Sequence, residues 1–239
     1  ASRTFFLNLY ETDMKNFWRR LRIYGFGFGL GLIMVFFFFR NRGCSWLPEN
    51  RVKNTFMGRV LVVSEENQRL FDQHHLSDSL LVSFLDDGSI AFGSSKKQGN
   101  LKVYKIEKEI NGKPVELWFS MPEDAFIAEV VWPKGNIQKF KSTAEGYGRM
   151  IHFPNVKSFV YLKDSPEFKV QMDTLGVKDE AYVQFLMKKS GWIDFSKSEL
   201  EAEPSPEQYV VLPREKGDTL RARTTWFKDH IEFYEFDHN

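Results

Sequence analysis

Histidines at 74 and 75, aspartates at 86 and 87, a serine beside a lysine at 196 and 197, and one cysteine at 44 are the side chains whose types lend themselves to chemistry. A metal needs ligands that converge. His74 and His75 are neighbours that point apart on a helix, and no residue nearby completes a ligand set at a standard spacing. A helix end, where histidine complements the helix dipole, is the expected place for the pair. Asp86 and Asp87 have the makings of an acid/base pair, but Gly88 follows, and Asp-Gly between two apolar runs predicts a tight hairpin turn. Ser196-Lys197 is similar to a Ser–Lys nucleophile pair. The spacing fits no S-x-x-K element, and no third residue stands ready to orient the pair. Cys44 is a candidate for acylation, against the plainer reading of a buried or interfacial thiol. Being the only cysteine, it excludes an internal disulfide and any CxxC redox or zinc element. On these grounds no residue is assigned a catalytic, cofactor-binding or metal-binding role.

The elements that must carry these residues repeat. Asp78, Val82, Phe84 and Leu85 match Asp179, Val183, Phe185 and Leu186 at one offset. After a two-residue insertion, Gly88, Ile90, Phe92 and Ser95 match Gly191, Ile193, Phe195 and Ser198. Such ordered self-similarity predicts a tandem duplication of a unit of small-domain size. Each unit reads as a short strand (59–63; 158–162), then a helix capped by Ser64 or Ser165. A strand at 80–85 turning through Asp86-Asp87-Gly88 follows in the first unit, and Lys188-Lys189-Ser190-Gly191 takes the turn in the second. Closing strands are expected at 101–109, 115–120 and 125–132, with Asn111-Gly112 as a type I′ turn, and at 208–212, 219–225 and 230–236. The fold class expected is α+β: two tandem similar modules, each a helix packed on an antiparallel sheet. The repeated polar residues Asp78, Asp179, Ser95 and Ser198 are expected at turn and cap positions. Trp46-Leu47-Pro48 and Trp132-Pro133 read as anchors of the stem, and the aromatic stretch 226–236 as an interface strand or core.

In front of the repeat, residues 23–39 form an uncharged run, from Ile23 to Phe39, bracketed by Arg19, Arg20 and Arg22 on one side and Arg40 and Arg42 on the other. At helical rise it spans about 25 Å, close to a bilayer core of roughly 30 Å. Arginines can snorkel from both ends, and Trp18, Tyr24 and Trp46 suit the interface. The run is longer than the apolar part of a signal peptide, and no A-x-A-like site follows it. A single uncleaved span is therefore expected, placing the chain in the cell inner membrane. Basic residues tie across the two flanks, and the preferred topology puts the long domain in the periplasm. Gly25, Gly27, Gly29 and Gly31 give two overlapping GxxxG spacings, a face for self-association or for another membrane protein. The expected organisation is a tail at 1–22, in which 1–13 read as an upstream extension before Met14. The span at 23–39 follows, then a stem at 40–57, a first module at 58–133, a linker at 134–149 and a second module at 150–239. Lys+Arg number 33 and Asp+Glu 32 in 239 residues, so no global basic field favours nucleic acid as a partner.

With its span, its RNRGCSWLPENRVK stem and its GSIAF/GWIDFSKS repeat, the chain from Met14 onward resembles uncharacterised single-span membrane proteins of the Bacteroidota type that carry a duplicated domain of unknown function. That resemblance implies a membrane location and a duplication, and no activity. The small units also resemble the ribonuclease-toxin superfamily, but a strong basic face and a repeated His, Arg or Tyr constellation are missing. The functional expectation is a membrane-anchored, non-enzymatic interaction or scaffold protein of the bacterial envelope. The alternative is a membrane-tethered hydrolase or nuclease with one degenerate module.

Overall fold

A computed structural model of the chain describes residues 2–40, 47–199, 207–214 and 217–238. Side chains are described within these ranges except at 2–16, 37–40 and 238. Residues 1–50 and 51–239 form two compact units. Among the described residues the fold is mixed α+β, with six α-helices and one eleven-stranded sheet.

The first unit is dominated by α1 (Ser2–Arg40), which contains the apolar run. Its described large apolar side chains, among them Ile23, Phe26, Phe28 and Phe36, are exposed. At Gly25, Gly27, Gly29 and Gly31 an added Cβ would meet nothing within 4 Å. Among the described residues no helix is long and apolar enough to cross a membrane. The uncharged stretch with described side chains, Ile23 to Phe36, measures about 21 Å at helical rise. The side chains of Phe37, Phe38, Phe39 and Arg40, together with Arg42, Cys44 and Trp46, lie outside the described residues.

In the second unit, α2 (Pro48–Met57) leads into β1 (Val60–Ser64), α3 (Glu65–Gln73), α4 (Asp78–Asp87) and β2 (Ser89–Ile90). The strands β3 (Leu101–Ile110), β4 (Lys113–Pro122) and β5 (Ile127–Val131) follow, then β6 (Tyr147–His152). Beyond it come β7 (Val160–Leu162), α5 (Pro166–Leu175), α6 (Glu180–Ser190), β8 (Trp192–Asp194), β9 (Glu207–Pro213), β10 (Thr219–Trp226) and β11 (Ile231–His238). The sheet order is β2-β3-β4-β5-β1-β6-β8-β9-β10-β11-β7. Only β5–β1 and β11–β7 pair in parallel; the other neighbours are antiparallel.

One expected strand is a helix. Residues 80–85 belong to α4, so the order is β-α-α-β-β-β-β where one helix was expected. The buried residues Leu81, Phe84 and Leu85 stand at i, i+3 and i+4, as do Val183, Leu186 and Met187 in α6. Asp86-Asp87-Gly88 is accordingly a helix end and no hairpin. Gly88 has an ordinary φ of −67°, and glycine is needed there because a Cβ would come 2.5 Å from the Phe84 carbonyl oxygen. Gly191 caps α6 in the same way, with the Met187 carbonyl oxygen 2.7 Å from a built Cβ. Asn111-Gly112 does make the expected two-residue turn, both residues having positive φ. The stem from Pro48 is helical in α2, whereas 153–157, which loosely echoes it, carries no helix or strand, and the expected linker runs into β6.

Apolar residues set the layering. Val60 and Val62 of β1 pack into the cluster that lies beneath α5 and α6, with Phe168, Val183, Leu186 and Trp226. Leu61 and Val63 point into the opposite cluster beneath α3 and α4, with Phe71, Leu81 and Phe84. The two helix pairs therefore cover opposite faces of one sheet, and β1, buried on both sides, reads as a continuous apolar run.

Candidate functional site

Each half of the sheet has one face beneath its own helices; the halves differ on the other. In the first half, residues 134–145 cross that face. Ile137 and Phe140 pack on Leu101, Val103, Trp118 and Val131, with the Phe140 and Trp118 rings edge to face at 6.0 Å. Thr143 fixes the crossing by donating its backbone N–H and its hydroxyl to the buried Glu129 carboxylate at 3.2–3.3 Å. Lys96 Nζ donates to the Phe140 carbonyl at 3.1 Å.

In the second half the corresponding face of β9, β10 and β11 is polar, and most of its described side chains are half-buried. Alternation along the strands decides which residues it presents. Gln208, Val210 and Leu212 of β9 and Leu220, Ala222, Thr224 and Trp226 of β10 are buried, leaving Glu207, Tyr209, Val211, Arg221 and Arg223 on the other side. Register brings them together: Arg223 lies opposite Tyr209 in β9 and Glu235 in β11. Its Nε donates to Glu207 Oε1 at 2.8 Å and its Nη1 to Glu235 Oε2 at 2.6 Å. The guanidinium carbon lies 5.8 Å from the Tyr209 ring centre and 5.5 Å from that of Tyr234, within cation–π range of both. A bulge after Arg223 brings Tyr234 into the group.

The electrostatics are coupled through Glu207. The Arg223 hydrogen bond holds the Glu207 carboxyl below its usual range, and Glu207 holds the Arg223 guanidinium above its own. Burial, reinforced by the hydrogen bond to Glu207, raises the Tyr209 phenol and pushes the Tyr234 phenol up to about 12. These shifts all run away from neutrality, so near pH 7 Glu207 is a carboxylate, Arg223 a guanidinium and both phenols are neutral. Such groups are poorly suited to proton transfer, which needs a group poised near the working pH.

The residues singled out in the sequence have other places. His74 ends α3 and stacks on Trp132 at 4.1 Å, while His75 takes positive φ in the following turn. Among the described residues no three of His, Cys, Asp and Glu are grouped so as to hold a metal. Asp78 and Asp179, expected at turn or cap positions before a strand, instead stand at helix starts and differ, Asp78 as the first residue of α4 and Asp179 as the cap of α6. Asp179 caps α6 by accepting from Tyr182 N at 2.7 Å. Asp78 receives both Nη groups of Arg149 on β6, whose Nη2 also reaches Gln68 on α3.

Ser95 and Ser198 do the same work as each other. Ser95 Oγ accepts from Lys105 N at 3.1 Å on β3, and Ser198 Oγ from Tyr209 N at 2.9 Å on β9. Ser196 accepts from Gly146 N, and Lys197 Nζ lies 5.7 Å from the Tyr209 ring centre, so the two do not act as a nucleophile pair. Trp226 is fully buried and donates to Thr224 Oγ1, which places it in the core. Arg59 is buried, its guanidinium pushed down to about 10 by that burial, and donates to the carbonyls of Pro122 and Glu123.

The sequence reading passed over the Glu207–Arg223–Glu235 group. Its only trace there is the period-two placement of charged and aromatic residues at 207, 209, 221 and 223. A second concavity, about 410 Å³, lies between α3 and the crossing segment against Leu70, Trp132 and Phe140. Within it Lys134 pairs with Glu66, and the Asn67 amide is used at both ends by Ser64 and Trp132 N. The chain matches no protein-family model, no curated protein and no solved structure.

Proposed function

We propose that this chain is a membrane-tethered, non-enzymatic binding protein of a bacterial envelope, built from two copies of one β-α-α-β-β-β-β unit merged into a single sheet. The carrying observation is the polar face of the second half. The aligned serines equate Lys105 of β3 with Tyr209 of β9. Register then equates Trp118 and Val131 with Arg223 and Glu235. An apolar patch held under an internal crossing segment in one copy thus becomes a half-buried, pre-ordered charged and aromatic surface in the other. Rigid aromatic and arginine side chains are what recognition surfaces favour.

Several features support the duplication. Orders β2-β3-β4-β5-β1 and β8-β9-β10-β11-β7 are the same path, each closed by a parallel pair. Gly88 and Gly191 cap the second helix of each copy under the same steric constraint. Tethering is supported by the uncharged run from Ile23 to Phe39 between arginines and by the exposed apolar side chains of α1. In this reading the lipid bilayer is one partner, and the second unit faces the periplasm.

Two measurements test the proposal. After an alkaline carbonate wash the full chain stays with the membrane pellet; release into the supernatant would sink the tether. From membranes solubilised in an uncharged maltoside, the chain brings down a stoichiometric partner, and Arg223→Met with Tyr209→Ala abolishes the capture while the fold, checked by circular dichroism, persists. Capture unaffected by the pair would rule out this face.

A further inference from the structure

We propose that the polar face of the second half carries an oxyanion pocket, in which Arg221 and Lys197 receive a carboxylate or phosphate group of the ligand. This inference rests on the reading of that face as a binding surface and gives it a ligand chemistry.

A small concavity of about 60 Å³ opens beside the Arg223 cluster, lined by Lys197, Tyr209, Arg221, Arg223, Glu235 and Asp237. Its cations are not equivalent. Arg223 already donates to two carboxylates. Arg221, half-buried on the same strand, makes no ion pair among the described residues, and its Nε is buried without a hydrogen-bond partner. A guanidinium offers five N–H donors in a planar fork and accepts nothing; with the Nε enclosed, the outer nitrogens, which have no ion-pair partner among the described residues, are the donors left for an acceptor in the concavity. Lys197 lies over Tyr209 and likewise has no carboxylate partner among the described residues. The walls fix the geometry: Arg221 is held in register between Val211 and Asp237, and Tyr209 between Arg223 and the Ser198 hydroxyl.

A concavity of about 60 Å³ has room for a few waters or for one planar or tetrahedral oxyanion group. Fork-shaped donors match such groups in a bidentate manner. Asp237 faces Arg221 across the ladder without pairing with it and sits exposed at the rim, where its charge opposes an incoming anion.

The test is a titration of the full chain in an uncharged maltoside with inorganic phosphate and, separately, with acetate, at constant ionic strength held with chloride. The Arg221 Nε–H resonance is followed. A saturable shift with at least one of the two anions is expected, and the tighter of the two identifies a phosphorylated or a carboxylate-bearing source. Arg221→Gln weakens binding at least tenfold, read from the Tyr209 ring signals, Lys197→Gln weakens it several-fold, and Asp237→Asn tightens it. Thermal melting of each variant confirms that it folds. A linear, non-saturating response to both anions, or equal affinity in Arg221→Gln, overturns the pocket. If partner capture depends on Arg223 and Tyr209 but is untouched by Arg221→Gln, the pocket fails while the binding face stands. If the anion binds and no partner is captured, the reverse holds.

Discussion

At the scale of single residues, the Glu207 cluster sets two edges to the pH range of stability. The carboxyl of Glu207 is held below its ordinary 4.5 in the folded chain. Its contribution is therefore complete above about pH 4.5 and is lost as pH falls through the lower folded value. Tyr234 runs the other way. Its folded value of about 12 exceeds the roughly 10 of an unfolded tyrosine. The folded chain keeps a proton that the unfolded chain releases, so stability falls as pH rises from about 10 toward 12. Urea midpoints from pH 3 to 6 should decline on the acid side for the natural chain and somewhat less for Glu207→Gln, since Asp87, Glu123, Asp164 and Asp229 are lowered as well. Phenolate absorbance should lose its most alkaline step in Tyr234→Phe. Ser95→Ala and Ser198→Ala should each cost about 1 kcal/mol in denaturant unfolding, the worth of one hydrogen bond to backbone. Those two serines were legible in the sequence because they recur in step with their apolar neighbours. Arg221 and Arg223 were not, because only strand register brings residues 207, 209, 223 and 235 together, and single-sequence spacing carries no register.

At the scale of elements, the chain was most readable where turn chemistry is local and least where two signals compete. Asn111-Gly112 marked the β3–β4 hairpin because a two-residue loop with two positive φ angles suits few other residue pairs. Asp87-Gly88 carried the same signature for a different reason. Gly88 has negative φ and is glycine because its Cβ would come 2.5 Å from the Phe84 carbonyl and 2.8 Å from Ile106 Cγ2. The deciding evidence lay one turn back, in apolar residues at 81, 84 and 85, a spacing that buries one face of a helix and would split across both faces of a strand. Gly88→Ala and Gly191→Ala should therefore destabilise by about 1–3 kcal/mol through crowding. Gly112→Ala, which has open space but positive φ, should cost about 1–2 kcal/mol through backbone strain alone. Far-ultraviolet circular dichroism melts separate the mechanisms: a compensating Ile106→Leu, which carries no Cγ2, should recover part of the loss in Gly88→Ala and none of it in Gly112→Ala.

At the scale of the whole second unit, β6 decides whether the halves behave as one body. It pairs with β1 on one side and β8 on the other, so the sheet is continuous across the middle through β6, with Gly146 adding a bond from Phe195 N at the edge. Arg149 adds a side-chain tie, joining β6 to Asp78 of α4 and Gln68 of α3. Gly148 is the tightest point of this seam: a Cβ there would lie 2.3 Å from Phe195 Cε2 and 2.6 Å from Cζ, and Phe195 is itself in the core beneath α5 and α6. Repulsion at that distance must displace either the ring or the strand, so Gly148→Ala should cost at least about 1–3 kcal/mol. How the loss distributes is the informative part. If the continuous sheet couples the halves, single-tryptophan variants reporting on Trp132 in the first half and Trp226 in the second should unfold at one common midpoint, and Gly148→Ala should lower both midpoints equally. Were the halves independent folding units that share a border, only the Trp226 midpoint would fall, because Phe195 belongs to the second half's core. A single shared transition that shifts as a whole would mean that the eleven strands fold cooperatively through β6, and that the polar face of β9–β11 is held rigid by residues of the first half that never touch it.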